Sequence, residues 1–152
     1  MFIRRANADD VNDFVRVYER AYKGLERYAY TKRRDIRSYF KWLRRRDPDG
    51  MFVAVIDEPV GFVACDANWY SSFEGKEVGE IHELFVSPEW QGKGIGGTLL
   101  NIGLNHARER ERDIAELWVG RENFKARRFY EKRGFKFAEI WGEWVRMIKM
   151  LL

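Results

Sequence analysis

The chain holds one cysteine, two histidines, three prolines and one glutamine among 152 residues. Cys65 has no partner for an intramolecular disulfide, and one thiol builds no cysteine metal site. That usage suits a reducing compartment, and the expected localisation is cytoplasmic. His82 and His106 fall on different predicted elements, so no metal is expected. No apolar stretch reaches the length of a membrane span, and no apolar signal region opens the chain, so no membrane partner is expected. Repeats and linker-like stretches are also absent. Residues 1–152 are therefore expected to form one domain. The scarcity of glutamine beside abundant Lys, Arg and Glu is a composition associated with heat-adapted proteins.

What is present is a dense ionic surface around a large apolar fraction. Hydrophobic residues make up 45%, aromatic residues 16% and charged residues 34%, with a net charge of +4. Disorder is excluded by the first two figures. The positive balance suits an anionic ligand; nucleic acid is a stronger reading of the same number. Acids and bases are interspersed through most of the chain, which favours the small anion.

Periodicity and punctuation divide the chain into alternating elements. Met1–Arg5 reads as a strand. Asp9 or Asp10 is expected to cap a helix carrying Val11, Phe14, Val15 and Tyr18 at helical spacing. A second helix spans Arg34–Arg46 and stops at Asp47-Pro48-Asp49-Gly50. Met51–Ile56 and Pro59–Cys65 form a hairpin through Asp57-Glu58. Trp69 and Tyr70 fall in the loop before the next strand, Glu77–Val86. A helix then runs to about Arg112, succeeded by a strand Ile114–Val119. Asn123–Arg133 reads as a helix ended by Gly134 in the left-handed conformation. Phe135–Ile140 and Trp144–Leu151 close the chain as two strands. The order predicts a mixed α/β sheet, mostly antiparallel with one parallel crossover and helices on both faces.

Between the strand Glu77–Val86 and its helix, four of the seven residues Gln91–Gly97 are glycine. Glycines admit a ligand close to the backbone, and the first amides of the helix after them lack internal partners. Such a turn is an anion site suited to phosphate or pyrophosphate. It is not a Walker loop, because Lys93 is followed by glycine instead of Ser or Thr. A dinucleotide fold is disfavoured by the hairpin that precedes the turn and by Glu116 lying mid-strand.

Gln91-Gly92-Lys93-Gly94-Ile95-Gly96 resembles the Q/R-x-x-G-x-G/A signature of the GNAT superfamily of N-acetyltransferases. Leu84–Glu89 resembles that family's fourth strand and the loop after it. Asn123-x-x-Ala126-x-x-Phe129-Tyr130-x-x-x-Gly134-Phe135 is similar to its second motif, in the same order and at the same separation. The resemblance covers most of the chain and implies a GNAT-like sheet of six to seven strands. It implies acetyl-CoA as acetyl donor and a primary amine as acceptor: a small molecule, or a lysine or N-terminus of a peptide or protein. Direct attack within a ternary complex needs no acyl-enzyme, and Cys65 is expected to be a buried hydrophobe.

The resemblance also implies roles for residues. Backbone amides of Gln91, Gly92, Lys93, Gly94, Ile95 and Gly96 hold pyrophosphate. The backbones of Phe85 and Val86 bind the pantetheine arm as an added strand would. Asn123 caps its helix and contacts the cofactor, and Tyr130 is the general acid that protonates the leaving thiolate. Candidates for the base are His82 and Glu80, which share a strand face, and Glu83 if a bulge turns it round.

Tyr22, Tyr28, Tyr30, Tyr39, Trp42, Trp141 and Trp144 either wall an acceptor site or fill the core. The basic helix Arg34–Arg46 leaves a nucleic-acid-binding alternative, and loss of chemistry would leave a silent acetyl-CoA-binding module. A homodimer is left open.

Overall fold

The structure, a computed structural model, describes residues 1–152. Strand β1 (Phe2–Arg5) leads into a short 3-10 turn and helix α1 (Val11–Ala21). The expected cap at Asp9 or Asp10 lies upstream instead. The Asn7 side chain accepts from the Asp9 amide at 2.9 Å, and the Asp10 carboxylate accepts from the Asn7 amide at 2.8 Å. Asp10 is thus the far arm of a capping box, and it also takes two bonds from the Arg4 guanidinium.

Helix α2 (Arg33–Arg46), strands β2 (Met51–Ile56), β3 (Glu58–Ser71) and β4 (Lys76–Val86), helix α3 (Ile95–Glu109), strand β5 (Ile114–Gly120), helix α4 (Phe124–Glu131) and strands β6 (Lys136–Trp141) and β7 (Trp144–Met150) complete the chain. Trp69 and Tyr70 are not in a loop: β3 runs on to Ser71 and pairs them with Val78 and Glu77 of β4. α3 stops at Glu109, short of Arg112, because the chain reverses through Glu111 at φ 63°.

The seven strands form one sheet in the order β1-β2-β3-β4-β5-β7-β6. Every neighbouring pair is antiparallel except β4 and β5. α1 and α2 cover one face, where Phe14, Tyr18, Ile36 and Phe40 pack against Met51, Val53, Phe62 and Phe85. α3 and α4 cover the other, where Leu100, Leu104 and Tyr130 meet Cys65, Ile81, Leu117 and Met147. α3 sits close because Gly79 is bare: a Cβ there would lie 2.5 Å from the Ala107 methyl. Cys65 is buried in this layer, and burial pushes its thiol far above the usual range.

Three irregularities interrupt the middle of the sheet, one of them a register shift of β3 against β4 between Asp66 and Trp69. The parallel pairing of β4 with β5 covers only Gly79, Glu80 and Ile81, after which the two strands part. In the same stretch β4 bulges: Ala64 faces Glu83 and Cys65 faces Ile81, so His82 is the extra residue.

Candidate functional site

The parting strands open a cavity of about 1590 Å³ that reaches from the glycine turn to the β6–β7 hairpin. Its walls come from the end of α1, the α1–α2 loop, the last residues of β4 and β5, and α4.

At one end lies the turn. Gly92 and Gly94 hold φ of +76° and +87°, a region costly for any residue with a Cβ. A Cβ on either would meet no atom within 4 Å, so the backbone there faces open space. The amides of residues 92–97 find no acceptor within the protein, whereas the Gln91 amide already donates to the Pro88 carbonyl at 3.3 Å. The donor run therefore starts one residue later than the motif suggests. Gln91 braces it instead: its side-chain amide donates to the Val86 carbonyl at 2.9 Å and accepts from Lys125 at 3.0 Å. The positive end of α3 points the same way. Lys125, Arg128 and Arg133 add cationic walls, and Arg133 lies 3.8 Å over the Phe129 ring. These donors and charges fit a pyrophosphate. Lys93 does not line the cavity, and the Ile95 side chain is core.

Along the wedge, the Ser87 amide donates to the Val60 carbonyl. By strand alternation Phe85 turns its backbone groups to β3, while Leu84 and Val86 turn theirs into the gap. The Phe85 side chain packs on Phe14 and Tyr18. The backbone groups fit for a pantetheine arm are thus those of Leu84 and the Val86 amide, since the Val86 carbonyl is taken by Gln91, and Phe85 supplies packing. Leu84 was legible by counting in twos, had the hydrogen-bonding side of the strand been known.

Opposite that edge stands α4. The Asn123 side chain accepts from the Ala126 amide at 3.3 Å as a cap, and both residues line the cavity. Tyr130 is 9% exposed and stacks edge-on with Phe129 and Phe135. Its hydroxyl bonds to no protein atom, yet it is not among the sealed polar atoms, so it meets the cavity it lines. Burial, then the charge of Glu83, raises its pKa, so it stays a neutral phenol.

At the acceptor end the bulge brings His82 and Glu83 to the same side of β4. Both Glu83 oxygens accept from the Tyr22 hydroxyl, at 2.8 and 2.7 Å. Burial lifts the Glu83 carboxyl to about 8 against the pull of that bond. The His82 ring lines the cavity with Nε2 on the Asp66 carboxylate at 2.9 Å. Glu80 does not reach the cavity. It is buried beneath it beside Glu116, and burial with that neighbouring carboxylate pushes it to about 11. Its proton serves Glu116, which also takes bonds from Ser71 and Arg146.

Tyr22, Tyr28, Tyr30, Tyr39, Trp141 and Trp144 all line the cavity, so these aromatics are walls. Trp42 packs behind His82. Tyr28 leans over bare Gly120, accepts from the Glu122 amide at 3.0 Å and meets Trp144. Of α2 only Tyr39 lines the cavity, and several of its cations have internal partners: Arg33 on Glu19, Arg37 on Asn12, Arg46 on Asp66. His106 is sealed away with Asp47 at 2.8 Å. No cluster of three or more His, Cys, Asp or Glu side chains has metal-binding geometry, and no helix is long and apolar enough to cross a membrane. Asp66 and the partnership of Tyr22 with Glu83 had no signal in the sequence, since both are contacts across distant segments.

A mixed sheet with one short parallel pair, a wedge beside it and an amide cradle at its end define an acyl-CoA-type transferase architecture. Residues 12–135 match the pattern of the Acetyltransferase (GNAT) family, and the chain belongs to that family, the acetyl-CoA-dependent GNAT superfamily. It is 60% identical over 143 residues to an uncharacterized N-acetyltransferase of Archaeoglobus fulgidus, covering 93% of this chain and 97% of the relative. A second uncharacterized N-acetyltransferase, from Methanocaldococcus jannaschii, is 49% identical over 150 residues. That match covers 98% of this chain but 66% of the relative, so the chain spans about two thirds of that protein. A crystal structure from Pyrococcus horikoshii OT3 superposes with a TM-score of 0.88 at 42% identity, over 98% of this chain and 97% of that one. The PaiA N-acetyltransferase of Thermoplasma acidophilum, solved with coenzyme A, shares the fold with a TM-score of 0.79 at 23% identity, over 98% of each chain.

Proposed function

We propose that the protein transfers an acetyl group from acetyl-CoA to a primary amine by direct attack in a ternary complex. The observation that carries this reading is the wedge beyond Ile81, with free amides at one end and the unpartnered Tyr130 hydroxyl in its wall. When bound, acetyl-CoA supplies an acetyl group activated as a thioester.

The chain's own residues do the rest. The amides of residues 92–97 hold the pyrophosphate, and the Leu84 backbone with the Val86 amide orients the pantetheine arm. An amide of that stretch stabilises charge developing on the acetyl oxygen. Tyr130 donates its proton to the departing sulfur. Holding the two reactants in line replaces an encounter in solution, which is worth about 7–11 kcal/mol in well-oriented systems. The acceptor enters among Tyr22, Tyr39 and Trp144, whose rings suit an amine cation, and loses its proton to a group on the β4 bulge.

Thiol release from acetyl-CoA, measured across amino acids, peptide N-termini, lysine peptides, polyamines and arylamines, tests this. The expected outcome is release above the no-acceptor rate with one class. Silence across the panel with tight acetyl-CoA binding by calorimetry would leave a binding module, and absence of binding would sink the reading altogether.

A further inference from the structure

The bulge presents two groups that can take a proton, and the structure treats them differently. Glu83 is buried at the cavity wall, with both oxygens within hydrogen-bond distance of the one Tyr22 hydroxyl. With its carboxyl at about 8 it is mostly protonated at neutral pH, and so already filled. His82 is held by a separate apparatus. Its Nε2 faces Asp66 at 2.9 Å, and Asp66 is itself buried and pinned by the Arg46 guanidinium at 2.8 Å and the Asn68 amide at 2.9 Å. Trp42 and Trp69 stand edge-on to the imidazole, each with its centroid 4.9 Å away. Tyr39 donates to the His82 carbonyl at 3.2 Å. The ring therefore has one orientation. Its Nδ1 makes no bond within the protein and is not a sealed atom.

We propose that Asp66, fixed by Arg46, is a positioning residue that holds the His82 proton on Nε2 and so makes Nδ1 the proton acceptor for the incoming amine. An imidazole donating one N–H to a carboxylate offers a lone pair at its other nitrogen, and the carboxylate stabilises the imidazolium that forms. The role rests on the reading of the protein as a transferase. The acceptor ammonium gives one proton to His82 Nδ1. The freed nitrogen lone pair forms the amide bond, the carbon–sulfur bond breaks with its electron pair going to sulfur, and Tyr130 supplies the sulfur's proton. The second amine proton restores Tyr130, and His82 returns the first to solvent. One proton is released per acetyl group moved.

A double-mutant cycle with Asp66→Asn and His82→Gln tests it, with nitrogen NMR of the imidazoles as a second readout. Only two histidines are present, and His106 on Asp47 serves as an internal control. Asp66→Asn should lower kcat about tenfold or more while KM for acetyl-CoA stays within about twofold. It should also move the His82 proton off Nε2 and leave the His106 signals unchanged. In the His82→Gln background the same change should cost less than about twofold, because its effect runs through the imidazole. A full Asp66→Asn effect in that background would make Asp66 merely structural and overturn the proposal. So would wild-type kcat in His82→Gln, which decides the matter even where Asp66→Asn does not fold. An inactive wild-type enzyme would instead remove the transferase reading, and this role with it; an active enzyme without coupling removes this role alone.

Discussion

Tyr130 and Glu83 are both buried, both face the same cavity, and burial acts on them with opposite consequences. For the phenol, a raised pKa preserves the proton it would donate. Tyr130→Phe keeps the packing against Phe129 and Phe135 and removes only that proton. kcat is expected to fall by about tenfold or more with acetyl-CoA affinity unchanged, checked by steady-state kinetics and calorimetry. A wild-type rate would reduce Tyr130 to packing. For the carboxyl, burial means that its charge appears only as pH rises through about 8. An ionised Glu83 attracts the acceptor cation, so kcat/KM for the acceptor should rise across that range. Glu83→Gln should abolish the rise and raise KM more than it lowers kcat. A collapse of kcat at neutral pH would instead make Glu83 the base. The place of Tyr130 on its helix was readable from its motif; the state of Glu83 was not, because it depends on Tyr22, which is remote in sequence.

Among the elements, the turn into α3 offers its unpartnered donors through its backbone. Side chains are dispensable there, and intrusive ones are harmful. Gly94→Glu would place a carboxylate in the cradle and force a left-handed backbone at φ +87° on a residue with a Cβ. Acetyl-CoA binding should vanish in calorimetry while far-ultraviolet circular dichroism keeps its shape. Unchanged affinity would move the phosphate site elsewhere. The glycine spacing made this element legible because a tight turn, a close backbone approach and a helix start demand local chemistry. Two details escaped it. Gln91 spends its amide on Pro88 and its side chain on the Val86 carbonyl, so the run of free donors begins at residue 92. The backbone turned away from β3 falls on Leu84 and Val86, since only the pairing of β4 with β3 decides which way each amide points. The Asn7 capping box and the long run of β3 through Trp69 are similar cases, where neighbouring strands and turns outweigh local preference.

The molecule as a whole holds its buried carboxylates in two groups of opposite sign, and its stability should depend on pH at both ends. Asp10, Asp47 and Asp66 sit below the ordinary carboxylate range: burial alone would raise them, but Arg4, His106, His82 and Arg46 more than compensate. The unfolded chain binds protons first as pH falls, so their contribution is lost under acid conditions. Glu80 and Glu83 lie above the range, Glu80 the further of the two. From about 4.5 to about 8 the folded protein keeps a proton that the unfolded chain has released, so stability falls as pH rises through that window. Urea midpoints should therefore peak in mildly acidic buffer and decline on both sides. Glu83→Gln should flatten part of the alkaline decline; an identical decline in that variant would show that Glu83 titrates normally.

The sequence by itself determined the element order, the single parallel crossover, the glycine turn and the existence of the helix after Asn123, all products of local periodicity, turn chemistry and motif spacing, though that helix stops at Glu131 and not at Arg133. Only the tertiary structure decided which of three candidate bases meets the cavity. Strand alternation puts Glu80 and His82 on one face, but the open wedge begins after Ile81, so Glu80 is left in the sheet beside Glu116. The bulge at His82 then brings Glu83 to the same side. Bulges, strand partings and carboxylates arriving from β3 arise from pairing between distant segments, and no spacing along one segment encodes them.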